Sequence, residues 1–311
     1  MKIAFILNPH SGGNQRRPWL ANTIRSYAES RGIEAQLCLT ERGGHATELA
    51  QAAIAAGCDR VVAIGGDGTL NEVARPLIGT SVRLGLLPSG SGNGLGRHLG
   101  LHRPFTTVLD WVTHPEPTTL AVDTGEVNGR PFFNVMGLGF DADVGDRFNR
   151  LEQRGFLAYA GVTVASLREM RPFSCRVTLD GQTESLDALI IAVANSSQYG
   201  NRALIAPEAD VADGKLDFVL VKPVGLVGAG TLVPRLFLGN LDRSPLVRHQ
   251  QARQIVIERP GPGLVHTDGE TFQAGERLEV TVRAGALQII VPPETVSGRA
   301  VSGGAVWPAR A

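Results

Sequence analysis

The sequence predicts two domains in series: an N-terminal three-layer α/β domain on a parallel sheet, residues 1–117, and a C-terminal, mainly antiparallel β-sandwich, residues 118–291. Three observations carry this. Between residues 3 and 80, short apolar runs alternate with helical patterns, the signature of strand–helix crossovers over a parallel sheet. After Pro115-Glu116-Pro117, read as a linker, short strand patterns recur with the hairpin dipeptides Asn128-Gly129 and Asp180-Gly181. At 311 residues the chain is long enough for a core in each domain.

Composition bounds the class. With 43% hydrophobic and 19% charged residues the chain is globular, and 30 basic against 30 acidic residues leave no net charge. A general attraction to nucleic acid or to anionic membrane is therefore not indicated, although local patches stay open. Cys38, Cys58 and Cys175 are scattered without metal spacing, which suits buried thiols in a reducing cytosol. The start Lys2–Leu7 is too short and wrongly flanked for a signal peptide, and no apolar run reaches membrane-spanning length. A cytoplasmic protein is expected.

The elements follow in order. Ile3–Leu7 reads as a buried strand ending in the polar turn Asn8-Pro9-His10-Ser11-Gly12-Gly13, at the end where open parallel sheets bind ligands. Pro18–Ser30 is helical, with Trp19, Leu20, Ile24 and Tyr27 spaced for one buried face. Ile33–Leu39 is a second strand with the exit Thr40–Ala46, then a helix through Ala56 stopped by Gly57.

Arg60–Ile64 is a buried strand leading into Gly65-Gly66-Asp67-Gly68-Thr69-Leu70-Asn71-Glu72 and a helix through Leu77. Three glycines in four residues let backbone N–H groups converge, Thr69 can cap the helix, and such a nest at a helix N-terminus suits phosphate. A carboxylate beside polyphosphate is repelled unless a cation or a proton donor intervenes, so Asp67 is read as facing Mg²⁺ or a substrate hydroxyl. Val82–Leu87 is a further strand before a second glycine-rich loop, Pro88–Arg97, and Phe105–Thr113 is a helix.

Beyond the linker, strands are read at 186–194, 216–221, 254–258, 277–283 and 287–291, with helices near 155–170 and 224–238. Gly137-Leu138-Gly139-Phe140-Asp141-Ala142 fits the dinucleotide fingerprint by letter, but it lies among hairpins without a βαβ continuation. The Gly/Ser-rich tail 292–311 either completes the first domain or frays.

Several of these segments resemble one family, the diacylglycerol kinase and sphingosine kinase catalytic domains. Asn8-Pro9-x-Ser11-Gly12 resembles its opening motif, Gly65–Thr69 with Asn71-Glu72 its nucleotide loop, and Gly90-Ser91-Gly92-Asn93-Gly94-Leu95 the long-chain-base branch, while Arg97 echoes the bacterial one. The Gly-Gly-Asp-Gly core is shared with NAD kinases. Thr40 matches a threonine that touches nucleotide, and Ser91 a second contact. Phe132-x-Asn134-x-x-x-x-Gly139-x-Asp141 resembles a segment shaping the acceptor side of the family's cleft, with Asp143 a further candidate there. The turn Pro207–Asp217 matches one that holds a structural or regulatory Mg²⁺ through one carboxylate, backbone carbonyls and water, with Asp210, Asp213 and Lys215 in the ligand positions, Lys215 and Asp210 by main-chain oxygen. His266-Thr267-Asp268-Gly269-Glu270 carries the family's late acidic signature.

What the resemblance implies is an ATP-dependent, Mg²⁺-requiring lipid kinase, with nucleotide between the domains and a lipid hydroxyl entering from the β side. Phosphorylating an alcohol requires its proton to leave, and a carboxylate can accept it. Glu270 is the expected acceptor, with Asp268 on Mg²⁺ or assisting. The lipid, diacylglycerol or a sphingoid base, would be met by peripheral contact with a membrane surface; no nucleic-acid partner is expected, and a homodimer stays open. NAD kinase is the nearest rival, and a nucleotide- or lipid-binding regulator without turnover the rival of another class.

Overall fold

The computed structural model describes residues 1–140, 142 and 171–296. The expected helix near 155–170, Asp141, Asp143 and most of the tail lie outside the described residues. Two compact units emerge: Met1–Val122 with the stretch from Gly285 onward, and Asp123–Ala284. The division therefore falls inside a strand rather than at Pro115–Pro117.

The first unit holds β1 (Lys2–Leu7), α1 (Gly12–Gln15), α2 (Leu20–Ser30), β2 (Glu34–Leu39), α3 (His45–Ala55), β3 (Arg60–Gly65), α4 (Asp67–Ala74), β4 (Arg83–Pro88), α5 (Gly94–His98) and α6 (Phe105–Thr113). Its strands are parallel in the order β2-β1-β3-β4. The chain thus winds one way from β1 and the other way from β3, the switch point beside which open parallel sheets bind ligands at the carboxyl ends of their strands. Ile3–Leu7 and Val61–Ile64 are buried because helices cover the sheet, whereas β2, at the edge, leaves Leu39 exposed.

On α2 the buried face is Leu20, Ile24 and Ala28, and Trp19 is 52% exposed. Its place on that face was expected from spacing, but it precedes the first helical turn and points away. Buried Arg60 gives its guanidinium to the carbonyls of Val112, His114 and Pro115, closing the end of α6.

The second unit begins along β5 (Thr119–Val127) and adds β6 (Arg130–Phe132), β7 (Val135–Gly139), β8 (Phe173–Leu179), β9 (Gln182–Ala188), β10 (Ile190–Ala194) and β11 (Leu216–Val221). α7 (Leu226–Leu238), β12 (Val247–Ala252), β13 (Gln254–Glu258), β14 (Gly263–Thr267), β15 (Glu270–Ala274) and β16 (Arg277–Ile290) follow. Both predicted hairpin dipeptides turn with positive φ at each residue, Asn128-Gly129 and Asp180-Gly181.

One antiparallel sheet of this unit runs β12-β11-β10-β7-β14-β15; the other contains β13 between β8 and the start of β16, with β9 beyond β8. Met136, Leu138, Ile191, Val193, Phe218 and Leu220 of the first sheet share a core with Val177, Leu179, Ile255, Ile257, Leu278 and Val280 of the second, which makes a sandwich.

The alternate residues Ala192, Ala194, Val219 and Val221 pack outward with Leu232 of α7. That double covering explains why β10 and β11 read as continuous apolar runs. The single strand expected at 186–194 breaks at Leu189, where the chain leaves one sheet for the other, because its halves must face different partners. Conversely, 277–290 is one strand, whose Gly285 at φ +58° does not interrupt it. Among the described residues no helix is long and apolar enough to cross a membrane.

Within the sandwich sheet, buried Asp217 accepts a hydrogen bond from His249 across β11 and β12 at 2.5 Å. That bond raises the His249 pKa above its ordinary 6.5 against the opposing effect of burial. A raised folded-state value means stabilisation that is full below 6.5 and lost as pH climbs through the folded value. Thermal unfolding of wild type and His249→Gln should therefore differ by about 2 kcal/mol near pH 6 and converge as the solution becomes alkaline. A gap that widened with pH would refute the pairing.

Candidate active site

Three loops of the first unit meet at the carboxyl ends of its strands. The Gly66 N–H donates to Ser11 Oγ at 3.2 Å, the Gly13 N–H to the Ser89 carbonyl at 2.8 Å, and the Ser89 N–H to the Gly65 carbonyl at 2.8 Å. Asn8 Nδ2 donates to Thr69 Oγ1 at 3.0 Å. The segments 8–13, 65–69 and 88–94, far apart in sequence, are thus brought together as expected.

Gly66 and Gly90 touch backbone to backbone: a Cβ on Gly90 would lie 2.5 Å from Gly66 Cα, closer than any side chain tolerates. A cavity of about 20 Å³, room for one water, lies behind the turn between Gly66, Asp67, Leu86 and Asn93.

Asp67 is the joint. Its Oδ2 accepts the Asn93 N–H at 2.7 Å and its Oδ1 the Gly94 N–H at 2.8 Å, and Asn93 closes the loop by bonding Gly90 in both directions. Burial pushes the carboxyl pKa above its ordinary 3.8, and the two N–H groups pull against that push. The sequence reading aimed Asp67 at Mg²⁺ or a substrate hydroxyl; the structure adds that its carboxylate also fastens the neighbouring loop, which offers two N–H groups no spacing rule could reveal.

Other expected contacts divide. Ser91, Gly68 and Gly12 lie exposed on the rims of the loops, and Pro9 stands half-buried among them. Thr69 does not cap α4. The cap is Gly66, and Thr69 sits one turn in, buried, with its hydroxyl on Asn8. Glu72, expected at the nucleotide, gives one oxygen to the Gly44 N–H and the other to the Ala46 N–H, capping α3. Thr40 is buried at the β2 exit, its N–H on the Leu7 carbonyl. Asn71 is buried with its side-chain oxygen unpartnered, as are the oxygens of Asn14 and Ser89. Sequence reasoning missed the last two, and only their places in the loops could have marked them.

In the second unit, Asp268 and Glu270 flank the turn joining β14 to β15. Asp268 stands at φ +51°, and its oxygens accept the N–H groups of Phe133, Asn134 and Val135 at 2.8–3.0 Å. Expected on Mg²⁺ or assisting catalysis, it also holds the turn before β7 through these bonds. Glu270 Oε2 accepts from Arg130 at 2.7 Å, and Arg130 also bonds Thr267 and stacks on Phe272 at 4.4 Å. Arg130 follows the hairpin dipeptide Asn128-Gly129 and has no part in any motif of the sequence. A cation opposite the Asp-Gly-Glu turn is visible in the fold and in no local pattern.

The turn Pro207–Asp217 brings its acids close. Asp213 accepts from the Lys215 N–H and from Gln251, Asp210 from the Ala212 N–H, and buried Asp123 from the Gly214 N–H. Burial raises the Asp213 pKa, helped by the nearby charges of Asp210 and Asp217. Among the described residues no group of three or more metal-ligating side chains is assembled. The available donors are hard oxygens, of the kind Mg²⁺ takes while keeping several waters.

Comparison with known proteins covers both units. Residues 2–127 match the family described as "Diacylglycerol kinase catalytic domain", and residues 134–291 the one described as "YegS C-terminal NAD kinase beta sandwich-like domain". A diacylglycerol kinase of Mycobacterium tuberculosis (strain CDC 1551 / Oshkosh) is 31% identical over 94% of this chain and 95% of its own. That of Bacillus subtilis (strain 168) is 30% identical over 86% and 89%. A solved structure described as a diacylglycerol kinase from Bacillus anthracis str. Sterne superposes with a TM-score of 0.72 at 22% identity, covering 94% of this chain and 97% of that one, which establishes a common fold.

Proposed function

This chain belongs to the diacylglycerol kinase family of lipid kinases, and on that premise we propose that it transfers the γ-phosphoryl group of ATP to the hydroxyl of diacylglycerol. A sphingoid base is the second acceptor to test, because the loop Gly90–Leu95 resembles that branch. The observation that carries the nucleotide side is the lashing of three loops through Ser11, Ser89 and Asp67. On this reading the turn at the head of α4 meets the phosphates, with Asn8, Ser11, Gly12, Gly68, Ser91 and Asn71 as the contacts the resemblance implies.

Glu270 is assigned as the group that takes the hydroxyl proton, oriented by Arg130, and Asp268 as a positioning residue for the turn 133–135. Mg²⁺, when bound, offsets phosphate charge during transfer; Asp210, Asp213 and the Lys215 carbonyl would hold a structural ion, whose charge relieves the crowding of acids there. NAD kinase is not favoured, since the relatives just described are diacylglycerol kinases.

The test is transfer of labelled phosphate from ATP to a panel of hydroxyl lipids, with NAD as a further acceptor, with and without chelation of divalent cations. Labelled phosphatidic acid that disappears on chelation is expected. Label in NAD alone would overturn the assignment, and tight ATP binding without any transfer would make the protein a regulator.

A further inference from the structure

The helix α7 carries apolar residues on both faces. From Pro223 to Leu238 its sequence has one charged residue, Arg235. Its inner face, Ala229 and Leu232 with Leu236, covers the sandwich sheet. Its outer face is also apolar: Val227 is 86% exposed, Leu238 66%, Val233 43% and Phe237 39%. Surface helices ordinarily turn charge to water, and a helix apolar all round is ordinarily buried. Four of the seven large hydrophobic side chains exposed among the described residues lie on this one helix.

Basic residues stand next to the helix along the chain: exposed Lys222 precedes it, its Nζ on the Pro245 carbonyl, and exposed Arg243 follows it, with Asp242 the acid beside Arg243 in the turn Leu241–Arg243. Arg235 lies on α7 itself, bonding the Asn240 carbonyl. At its C-terminal end the helix receives the Leu204 N–H on the Leu236 carbonyl, and this fixes the loop Gly200-Asn201-Arg202 beside Phe237 and Leu238. All three loop residues have positive φ, and Arg202, at +66°, is exposed. A left-handed arginine is strained, and such strain persists where a site has a use for it.

We propose that the outer face of α7, with Arg202, Lys222, Arg235 and Arg243 around it, is the surface by which this protein docks on a bilayer carrying anionic lipid. The proposal rests on the lipid-kinase assignment, whose acceptor resides in a membrane. Apolar side chains enter the acyl boundary while the cations meet phosphate headgroups. Charge favours this occupant over a second copy of the chain, which would bring the same cations face to face.

The test is cosedimentation of the full chain with vesicles of phosphatidylcholine, alone or mixed with phosphatidylglycerol. Wild type is expected to bind the mixed vesicles, and Phe237→Ser/Leu238→Ser to bind them at least about tenfold more weakly, since two apolar side chains no longer leave water. Arg202→Gly should weaken binding about fivefold on mixed vesicles only, without loss of thermal stability, because glycine is relaxed at that φ. Phosphorylation of a short-chain diacylglycerol dispersed below its aggregation limit should be alike in all three proteins. If wild type fails in that soluble assay, the acceptor assignment is wrong and the vesicle result still judges the surface. Vesicle binding absent in wild type, or undiminished in the double variant, would overturn the surface. So would a double variant that loses only self-association, which would give the face to a second copy.

Discussion

Glu270→Gln will lower turnover by at least about a hundredfold, the low end for removing a proton acceptor, while the KM for ATP stays within about twofold. Glutamine keeps the length of the side chain and one oxygen for Arg130 at the end of β15, so the hairpin Thr267–Glu270 and its pairing should persist. What is lost is the capacity to receive a proton as the acceptor oxygen meets the γ-phosphorus. Because nucleotide contacts are assigned to loops of the first unit, binding of ATP should not register the change. Measuring kcat and KM separately on the same lipid decides the matter: a raised KM with kcat intact would make Glu270 a binding residue, and full activity would move the base elsewhere.

Asp67→Asn will separate function from stability. The carboxylate serves two adjacent N–H groups, one on each oxygen. An amide offers one acceptor and one donor, so either Asn93 or Gly94 then faces an NH₂ group. A lost charge-assisted bond of about 1.5–3 kcal/mol corresponds to roughly a 10- to 100-fold weaker hold on the loop, and comparable losses in kcat/KM for ATP are expected.

Against this stands the burial that raises the Asp67 pKa. A group raised in the fold stabilises while protonated, below its unfolded value of 3.8, and that contribution is gone once pH has passed the folded value. At neutral pH the ionised side chain has therefore given up that contribution, and the amide, which does not titrate, carries no desolvated charge. The two effects oppose, so thermal unfolding near pH 7 should fall by less than the lost bond alone implies, while kcat/KM for ATP falls by the full factor of roughly 10 to 100. Parallel loss of both would show that Asp67 is simply structural.

Much of the fold was legible because it rests on periodicity and turn chemistry. Arg60–Ile64 had to be a buried strand, Phe105–Thr113 a helix, and Asn128-Gly129 a hairpin, since each follows from residues adjacent in the chain. The meeting of segments 8–13, 65–69 and 88–94 could also be anticipated, because turns at the carboxyl ends of neighbouring parallel strands share one edge of the sheet. What could not be read depended on a distant partner. Glu72 looked like part of a nucleotide motif until Gly44 and Ala46 claimed it, Trp19 fell in step with an apolar stripe yet lies outside the helix, and Arg130 acquired meaning only opposite Glu270. The break at Leu189 is of the same kind: nothing in Leu186–Ala194 says that its halves serve different sheets.

The seating of Gly66 on Gly90 has a kinetic corollary. With main chain pressed against main chain and no side chain to act as a cushion, neither turn can swing without displacing the other. Their amides should exchange with deuterated solvent as one cooperative patch, and an occupant that slows exchange at either turn should slow it at both.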